Sequence, residues 1–373
     1  MRSLYLSGGK FPPGFFDGAV ERILELQRPD GAIPWFDNGV WDPWNHTEAA
    51  VGLMIADRRA EAEKAYACLA ATQEEDGSWW AHYGSAVPLD TGKYEGQGEE
   101  PQKRDTNFIA YPAVGIWHHY LITGDRDHLR QYWPMVKGAL EFVRTHQSEH
   151  GEIRWTAPDP QTPENDALLT GNASIFKSFE CGIRIAETLG EWHEAQIWRA
   201  AREAIGDAIR SKPHRFDRTW EKKDYFSMDW YYPVLAGAVT GDAARARLAQ
   251  RWDEFVADGK GCRCVSGSPW VTIAEGCELT LALLAAGLPQ KAKEVFSWQH
   301  QWRHDDGSYW MGWQFEENVP WPVERPAWTA AAALMAADAL IGATAGARLF
   351  LESLPAPPEH AQRAHRVHLV KKP

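Results

Sequence analysis

The sequence predicts an all-α fold, an (α/α)6 toroid of six helical hairpins with its long loops on one face. Three observations lead there: helices of two kinds in strict alternation, connections that are alternately short and long, and a glutamine, glycine, tryptophan unit written four times where a helix gives way to a loop. The units are Gln27, Gly31 and Trp35; Gln73, Gly77 and Trp79; Gln147, Gly151 and Trp155; and Gln301, Gly307 and Trp310. Each copy needs neighbours to bury its apolar face, and the glutamine amide is suited to tying down loop backbone.

Helices of the first kind carry one apolar stripe and fall near 15–27, 58–72, 128–147, 191–210, 243–257 and 289–302. Leu129, Trp133, Val136, Leu140 and Val143 recur at steps of three and four, as do Ala244, Leu248, Trp252 and Phe255, which leaves one wet face. Helices of the second kind, near 46–56, 105–122, 171–189, 229–240, 271–286 and 326–342, are apolar or small nearly all round and belong inside. From an inner helix to the next outer one the chain takes a few residues, as at Gly124-Asp125 and Gly241-Asp242, a glycine stop followed by an acidic start. From outer to inner it takes a long loop every time, near 28–45, 73–104, 148–170, 211–228, 258–270 and 303–325. All long loops and all six inner-helix N-termini therefore meet on one face, which should carry the function. Pro112 and Pro233, each following a tyrosine, should start or kink their inner helices.

No stretch reads as a linker, so residues 1–345 are expected to form one barrel domain, and the proline-rich, then basic end, 346–373, a tail laid on the surface. Lys+Arg 39 against Asp+Glu 51 leaves a net charge of −12, which argues against nucleic acid or an anionic membrane as partner. The N-terminus lacks the apolar core of a signal peptide, and no segment is apolar for the ~20 residues of a membrane span. Five cysteines without framework spacing read as reduced thiols, so the cytoplasm is the expected location. Cys262 and Cys264 lack the spacing of a zinc knuckle, and neither a metal nor a cofactor is expected.

At each inner-helix start the sequence abandons apolar residues for a polar cluster: Asp42, Asn45, His46 and Glu48; Arg104, Asp105 and Asn107; Asn172 and Lys177; Asp229 with Trp230 and Tyr231; Trp270, Thr272 and Glu275; and Glu324 and Arg325 with Trp328. Asp, Asn and Thr at such positions are also ordinary helix caps. Glu48 and Glu275 lie about one turn inside apolar helices, where an unpaired carboxylate is costly, so they should face a polar cavity or a cation. Carboxylates ~5–9 Å apart are what glycoside hydrolysis requires. Asp229 or Glu275 is the candidate proton donor and Asp105 or Glu48 the candidate for water activation, with Glu324 in reserve. Trp 20 exceeds both Phe 14 and Tyr 11, and Trp35, Trp44, Trp79, Trp230, Trp270 and Trp328 offer flat faces to sugar rings, with Tyr231, Asn107, Asn172, His46 and Arg104 placed to bind hydroxyls. His46, Arg104, Lys177 and Arg325 together hint at an anionic group on the ligand, unless Arg104 and Arg325 only neutralise Asp105 and Glu324.

The run Arg104-Asp105-Thr106-Asn107, through Gly124-Asp125 to Trp133-Pro134 and Leu140-Glu141-Phe142-Val143, resembles a hairpin of glucoamylase-type, six-hairpin glycosidases, as does Leu169-Thr170-Gly171-Asn172-Ala173 leading to Leu189-Gly190 and Trp198. The glutamine-to-tryptophan units resemble instead the QW repeats of squalene-hopene cyclases and bacterial prenyltransferase-like proteins, which use a similar toroid. The first resemblance implies hydrolysis of a saccharide, or epimerisation or elimination at a uronic sugar; the second implies isoprenoid chemistry. For the second the initiators are missing: there is no Asp-x-Asp-Asp acid, Asp305-Asp306 is followed by Gly307-Ser308-Tyr309 rather than a completed magnesium motif, and no Asp-x-Cys occurs. The expectation is a carbohydrate-active enzyme working by acid/base chemistry on a small saccharide or polyol, with a prenyltransferase or terpene-cyclase-like protein as the alternative.

Overall fold

The computed structural model describes residues 11–84, 103–155, 166–218 and 222–354. The chain runs α1 (Asp17–Leu26), α2 (Pro43–Ile55), α3 (Arg59–Thr72), α4 (Thr106–Ala110), α5 (Pro112–Thr123), α6 (Arg126–Thr145), α7 (Leu169–Leu189), α8 (Trp192–Ser211), α9 (Ser227–Leu235), α10 (Gly241–Gln250), α11 (Trp252–Phe255), α12 (Ile273–Ala285), α13 (Pro289–Gln299) and α14 (Ala327–Ile341). The inner helices touch in a closed circle, α2 to α5 to α7 to α9 to α12 to α14 and back to α2, while α1, α3, α6, α8, α10 with α11, and α13 pack outside them. Alanine-rich α14 and apolar α12 are buried nearly all round, as their lack of a polar face requires. Gly124 closes α5 in the left-handed conformation at φ 66, and Asp125 caps α6 by accepting from the amides of Asp127 and His128 at 3.1 and 3.0 Å. Pro112 restarts the second inner helix after a break at Tyr111, and Pro233 sits inside the short α9.

The glutamine units prove to be staples between neighbouring outer helices. Gln27 Nε2 donates to Gly31 O at 3.3 Å and to Glu61 O of α3 at 2.9 Å; Gln73 to Gly77 O and to Met135 O of α6, both at 2.9 Å; Gln147 to Gly151 O and to Ala201 O of α8, both at 2.9 Å. Each glycine has positive φ and lies flat on the next outer helix: a Cβ on Gly77 would meet the Gly138 carbonyl at 2.4 Å. The fourth unit departs from the sequence reading. Gln301 spends its amide on Gly259 and Trp298, while Arg303, at the same four-residue spacing from Gly307 as the other three pairs, donates to Gly307 O at 3.1 Å and to Phe15 O, just ahead of α1, at 2.7 Å. An arginine therefore performs the glutamine's task where the last hairpin meets the first.

Two expectations are corrected. The loops near 258–270 and 303–325, with the end of the outer helix expected near 243–257 and the start of the inner helix expected near 271–286, carry an antiparallel meander of β1 (Val256–Ala257), β2 (Gly261–Arg263), β3 (Trp270–Thr272), β4 (Gly312–Gln314) and β5 (Val319–Pro320), in that spatial order. Strands this short carry too few alternations to be read as a period. The segment from residue 346 is not a tail on the surface as far as Leu354. Leu349, Phe350 and Leu354 are buried in the core, and Lys177 Nζ holds the carbonyls of Leu349 and Glu352 at 3.2 and 2.8 Å, so this segment plugs the end of the barrel opposite the long loops. Residues 355–373 lie outside the described residues. Among the described residues no helix is long and apolar enough to cross a membrane.

Candidate active site

Helical phase decides which residues of each polar cluster reach the barrel axis. At 100° per residue, positions two, three and six of a helix share a face, while position four points the other way. The sixth residues include Glu48 of α2, Tyr111 ending α4, Ser174 of α7, Tyr232 of α9 and Glu278 of α12. They converge: the Tyr111 hydroxyl donates to Glu48 Oε1 at 3.3 Å, and Tyr232 lies beside both Tyr111 and Ser174. Trp44, at position two of α2, donates its indole N–H to the same Glu48 Oε1 at 2.8 Å and reaches Tyr232 on the opposite side of the ring, ring centres 5.9 Å apart. Trp44, Tyr111 and Tyr232 thus meet as an aromatic floor, and position three of these helices carries Asn45, Asp229 and Glu275.

Fourth-position residues serve the outer layer instead. His46 is fully buried, accepts from Ile33 N at Nδ1 (3.1 Å) and faces Ala65 O with Nε2 (2.9 Å); burial drives its pKa down to about 4, so it is neutral. Asn172 clamps both the amide and the carbonyl of Ile153, at 2.7 and 2.9 Å. Trp230 donates to Arg247 O of α10 at 2.8 Å and stacks on Phe255. Sequence reasoning placed all three against substrate; packing turns them away from it. Lys177 is corrected likewise, since its ammonium is spent on Glu180 Oε1 at 3.2 Å and on the two carbonyls of the plugging segment. The two arginines do not neutralise their sequence neighbours: Arg104 pairs with Asp76 at 2.9 Å over the Trp80 ring, and Arg325 pairs with Asp306 and with Ser308 Oγ at 2.9 Å. The cluster of free cations that hinted at an anionic ligand is thus consumed by the scaffold. Of the remaining tryptophans, Trp79 is fully buried and donates to Leu69 O at 3.0 Å, whereas Trp44, Trp270 and Trp328 are partly open, with Trp328 standing edge-on to Trp35.

The acids divide by what holds them. Asp42 and Asp105 each use one oxygen to hold two amides at the start of their helices and the other to take an indole N–H, Trp35 to Asp42 and Trp155 to Asp105, both at 2.5 Å. Burial nonetheless raises Asp105 to about 6. Asp229 accepts the Thr170 hydroxyl at 2.6 Å and is also raised to about 6, first by burial. Glu48 is raised furthest, to about 8, chiefly by burial, with the carboxylates of Asp42 and Glu275 adding to it. Glu275 keeps partial contact with solvent, and burial, with the charge of Glu275 next, pushes the Cys264 thiol well up. Glu324 is half-buried with Oε1 unpartnered, Asn107 Oδ1 is likewise without a partner, and burial raises the Glu324 carboxyl.

Three members of this group were missed: Glu278, Tyr111 and Tyr232. Glu278 takes the Tyr231 hydroxyl, and burial, followed by the charge of Glu48, holds its carboxyl well above the usual range. The reasoning that picked out Glu275, an acid inside an apolar helix, applies equally three residues later. Both tyrosines precede the helix-interrupting prolines, so the repetition itself marked them.

Residues 40–256 match the family model described as the bacterial alpha-L-rhamnosidase 6 hairpin glycosidase domain. The chain belongs to the six-hairpin glycosidases. This glycosidase is 44% identical over 331 residues, 89% of its own chain and 87% of the relative, to the MMP endo-(1,4)-3-O-methyl-alpha-D-mannosidase of Mycolicibacterium hassiacum. Among solved structures it is similar to a glycosidase in complex with glucose (TM-score 0.67, 11% identity, 88% of this chain and 96% of that one) and to a D-mannose isomerase (TM-score 0.62, 10% identity, 91% and 98%). A bacterial glucoamylase complexed with acarbose also shares the fold, at TM-score 0.63 and 12% identity over 91% of this chain and 58% of that one. The six-hairpin glycosidase is a hydrolase of glycosides.

Proposed function

We propose that the glycosidase cleaves within an uncharged, O-methylated α-mannoside chain, with Glu48 as proton donor and Glu275 acting on the attacking water. The observation that carries the chemistry is the meeting of these two carboxylates from α2 and α12 above one aromatic floor, each within electrostatic reach of the other. A carboxyl raised to about 8 holds its proton at neutral pH and can deliver it to a leaving glycosidic oxygen. That reverses the assignment offered from the sequence, in which Glu275 was a candidate proton donor and Glu48 a candidate for activating water. Glu275, the more open of the pair, takes the proton of the water that attacks the anomeric carbon, and the C–O bond breaks toward the protonated leaving group. Trp44, Trp270 and Trp328 present apolar faces that suit sugar rings and methyl ethers alike. The substrate class rests on the 44% identical relative, and the consumption of Arg104, Arg325, His46 and Lys177 by the scaffold favours a neutral ligand. Five free thiols support a reducing compartment, the cytoplasm.

The test is a product analysis. Purified protein is incubated with 1,4-linked 3-O-methyl-α-mannose oligosaccharides, their unmethylated counterparts and an aryl α-L-rhamnoside. Cleavage of internal linkages in the methylated series, lost by about 10³-fold or more in Glu48→Gln and Glu275→Gln, is the expected result. Turnover of the rhamnoside alone would replace the substrate assignment, and full activity of either variant would end the assignment of roles.

A further inference from the structure

Away from the acid-lined face, one cluster of side chains has the chemistry of a ligand set. Glu63 of α3, His119 near the end of α5 and His128 near the start of α6 meet on the short-turn face of the barrel, opposite the long loops. Glu63 and His119 are 56 residues apart, so no local motif marks them. Both imidazoles turn a nitrogen to one carboxylate oxygen: Glu63 Oε1 stands 2.9 Å from His119 Nε2 and 3.9 Å from His128 Nδ1. The two rings are stacked, with centres 3.5 Å apart and planes inclined by 14°. The ligand atoms of the three residues all lie within 4.8 Å of one another. Tetrahedral ligands placed ~2.0–2.2 Å from a zinc ion stand about 3.4 Å apart, a value that the two separations from Glu63 bracket.

His128 supplies an independent observation. It is 7% exposed and packed among the rings of Tyr66, His119 and Tyr132, yet among the described residues neither of its nitrogens makes a hydrogen bond: Nε2 has no partner, and Nδ1 is too far from Glu63 for one. An imidazole taken out of water and left unpaired is costly, and a cation between Nδ1 and the carboxylate is the partner it lacks. His119 is already set as a ligand is, with Thr123 Oγ1 at 3.3 Å from its Nδ1 orienting the ring and Nε2 left on Glu63. Arg59 holds Glu63 Oε1 with Nε at 2.6 Å, but its side chain is about half exposed and also reaches Asp125 at 2.8 Å, so it can yield the carboxylate and keep Asp125.

We propose that Glu63, His119 and His128 bind a divalent cation of the zinc class, with water completing its shell. Gln73 already joins the C-terminal end of α3 to α6, and the ion performs the same service at the N-terminal end of α3, tying it to α5 and α6. The role is structural and independent of the carboxylates assigned to glycoside cleavage.

The experiment takes the untagged full-length protein, stripped with a chelator, and titrates it with Co2+ and Zn2+ beside Glu63→Gln and His128→Phe. His128→Phe keeps a flat ring in the stack and Glu63→Gln alters a partly exposed position, so poor folding of one leaves the other to decide. Expected for wild type are one equivalent of Co2+ with visible d–d absorption, and a melting temperature raised by about 3–5 °C at a hundredfold excess of Zn2+ over its Kd. Each variant should bind Zn2+ about 100-fold more weakly, or worse, and lose the melting shift. Absence of the band or of the shift in wild type overturns the site. So does a wild-type response retained in either folded variant, which places the ion elsewhere.

Discussion

The indole N–H of Trp44 donates to Oε1 of Glu48, one turn along α2, at 2.8 Å. A donor of this kind favours the charged carboxylate and so restrains the rise that burial imposes. Trp44→Phe keeps the ring and removes the donor. We expect the alkaline limb of the pH–rate profile, which follows loss of the Glu48 proton near pH 8, to move up by about half a unit to one unit. A profile identical to wild type would separate the two residues functionally.

Glu48 also links stability to pH. Its folded-state pKa, about 8, lies above the ordinary value of 4.5, so the folded protein holds a proton that the unfolded chain releases. Its contribution is therefore complete below about pH 4.5 and is lost as pH rises toward 8. Glu48→Gln has no proton to lose. Thermal melts should show the variant gaining on wild type by a few degrees between pH 5 and pH 8.5, and a gap that narrows with pH would contradict the buried, protonated state.

Arg303 stands where three other hairpins have a glutamine. Arg303→Ala and Gln73→Ala should each lower stability by about 1–3 kcal/mol in denaturant titrations, because each removes two hydrogen bonds that tie a loop to a neighbouring element, whereas Gln301→Ala at the exposed position should cost about half as much or less. Gly77→Ala should be worse than either glutamine change, since a Cβ there meets the Gly138 carbonyl at 2.4 Å and φ is +88.

Lys177→Met, His46→Ala and Asp105→Asn separate structure from binding. Lys177→Met strips the ammonium from the carbonyls of Leu349 and Glu352 and from Glu180, and should cost about 3 kcal/mol or more while KM stays within about twofold. His46→Ala should behave alike. Asp105→Asn weakens a cap and an indole bond, so a loss of about 1 kcal/mol with most of kcat retained is expected; abolished turnover in a stable variant would restore Asp105 to the chemistry.

Much of the architecture was legible because periodicity is a property of the chain itself. All-round apolar runs such as 330–341 can only be inner helices, and single-stripe runs such as Leu129 to Val143 can only be outer ones, so the two-layer ring and the common face of its long loops were readable. The short meander was not, because strands of two or three residues show no alternation. Nor was the destination of residues 346–354, whose hold on the barrel depends on Lys177 and Arg202, more than a hundred residues away.

Within the site the division is one of rotation. Sequence determined that acids, amides and tryptophans gather at six helix starts, since burying them elsewhere in apolar helices would be prohibitive. Only the packing of each inner helix against its outer partner fixed its rotation about its own axis. That rotation sends His46, Asn172 and Trp230 outward and brings Glu48, Tyr111, Tyr232 and Glu278 together, because two residues along a helix are some 200° apart.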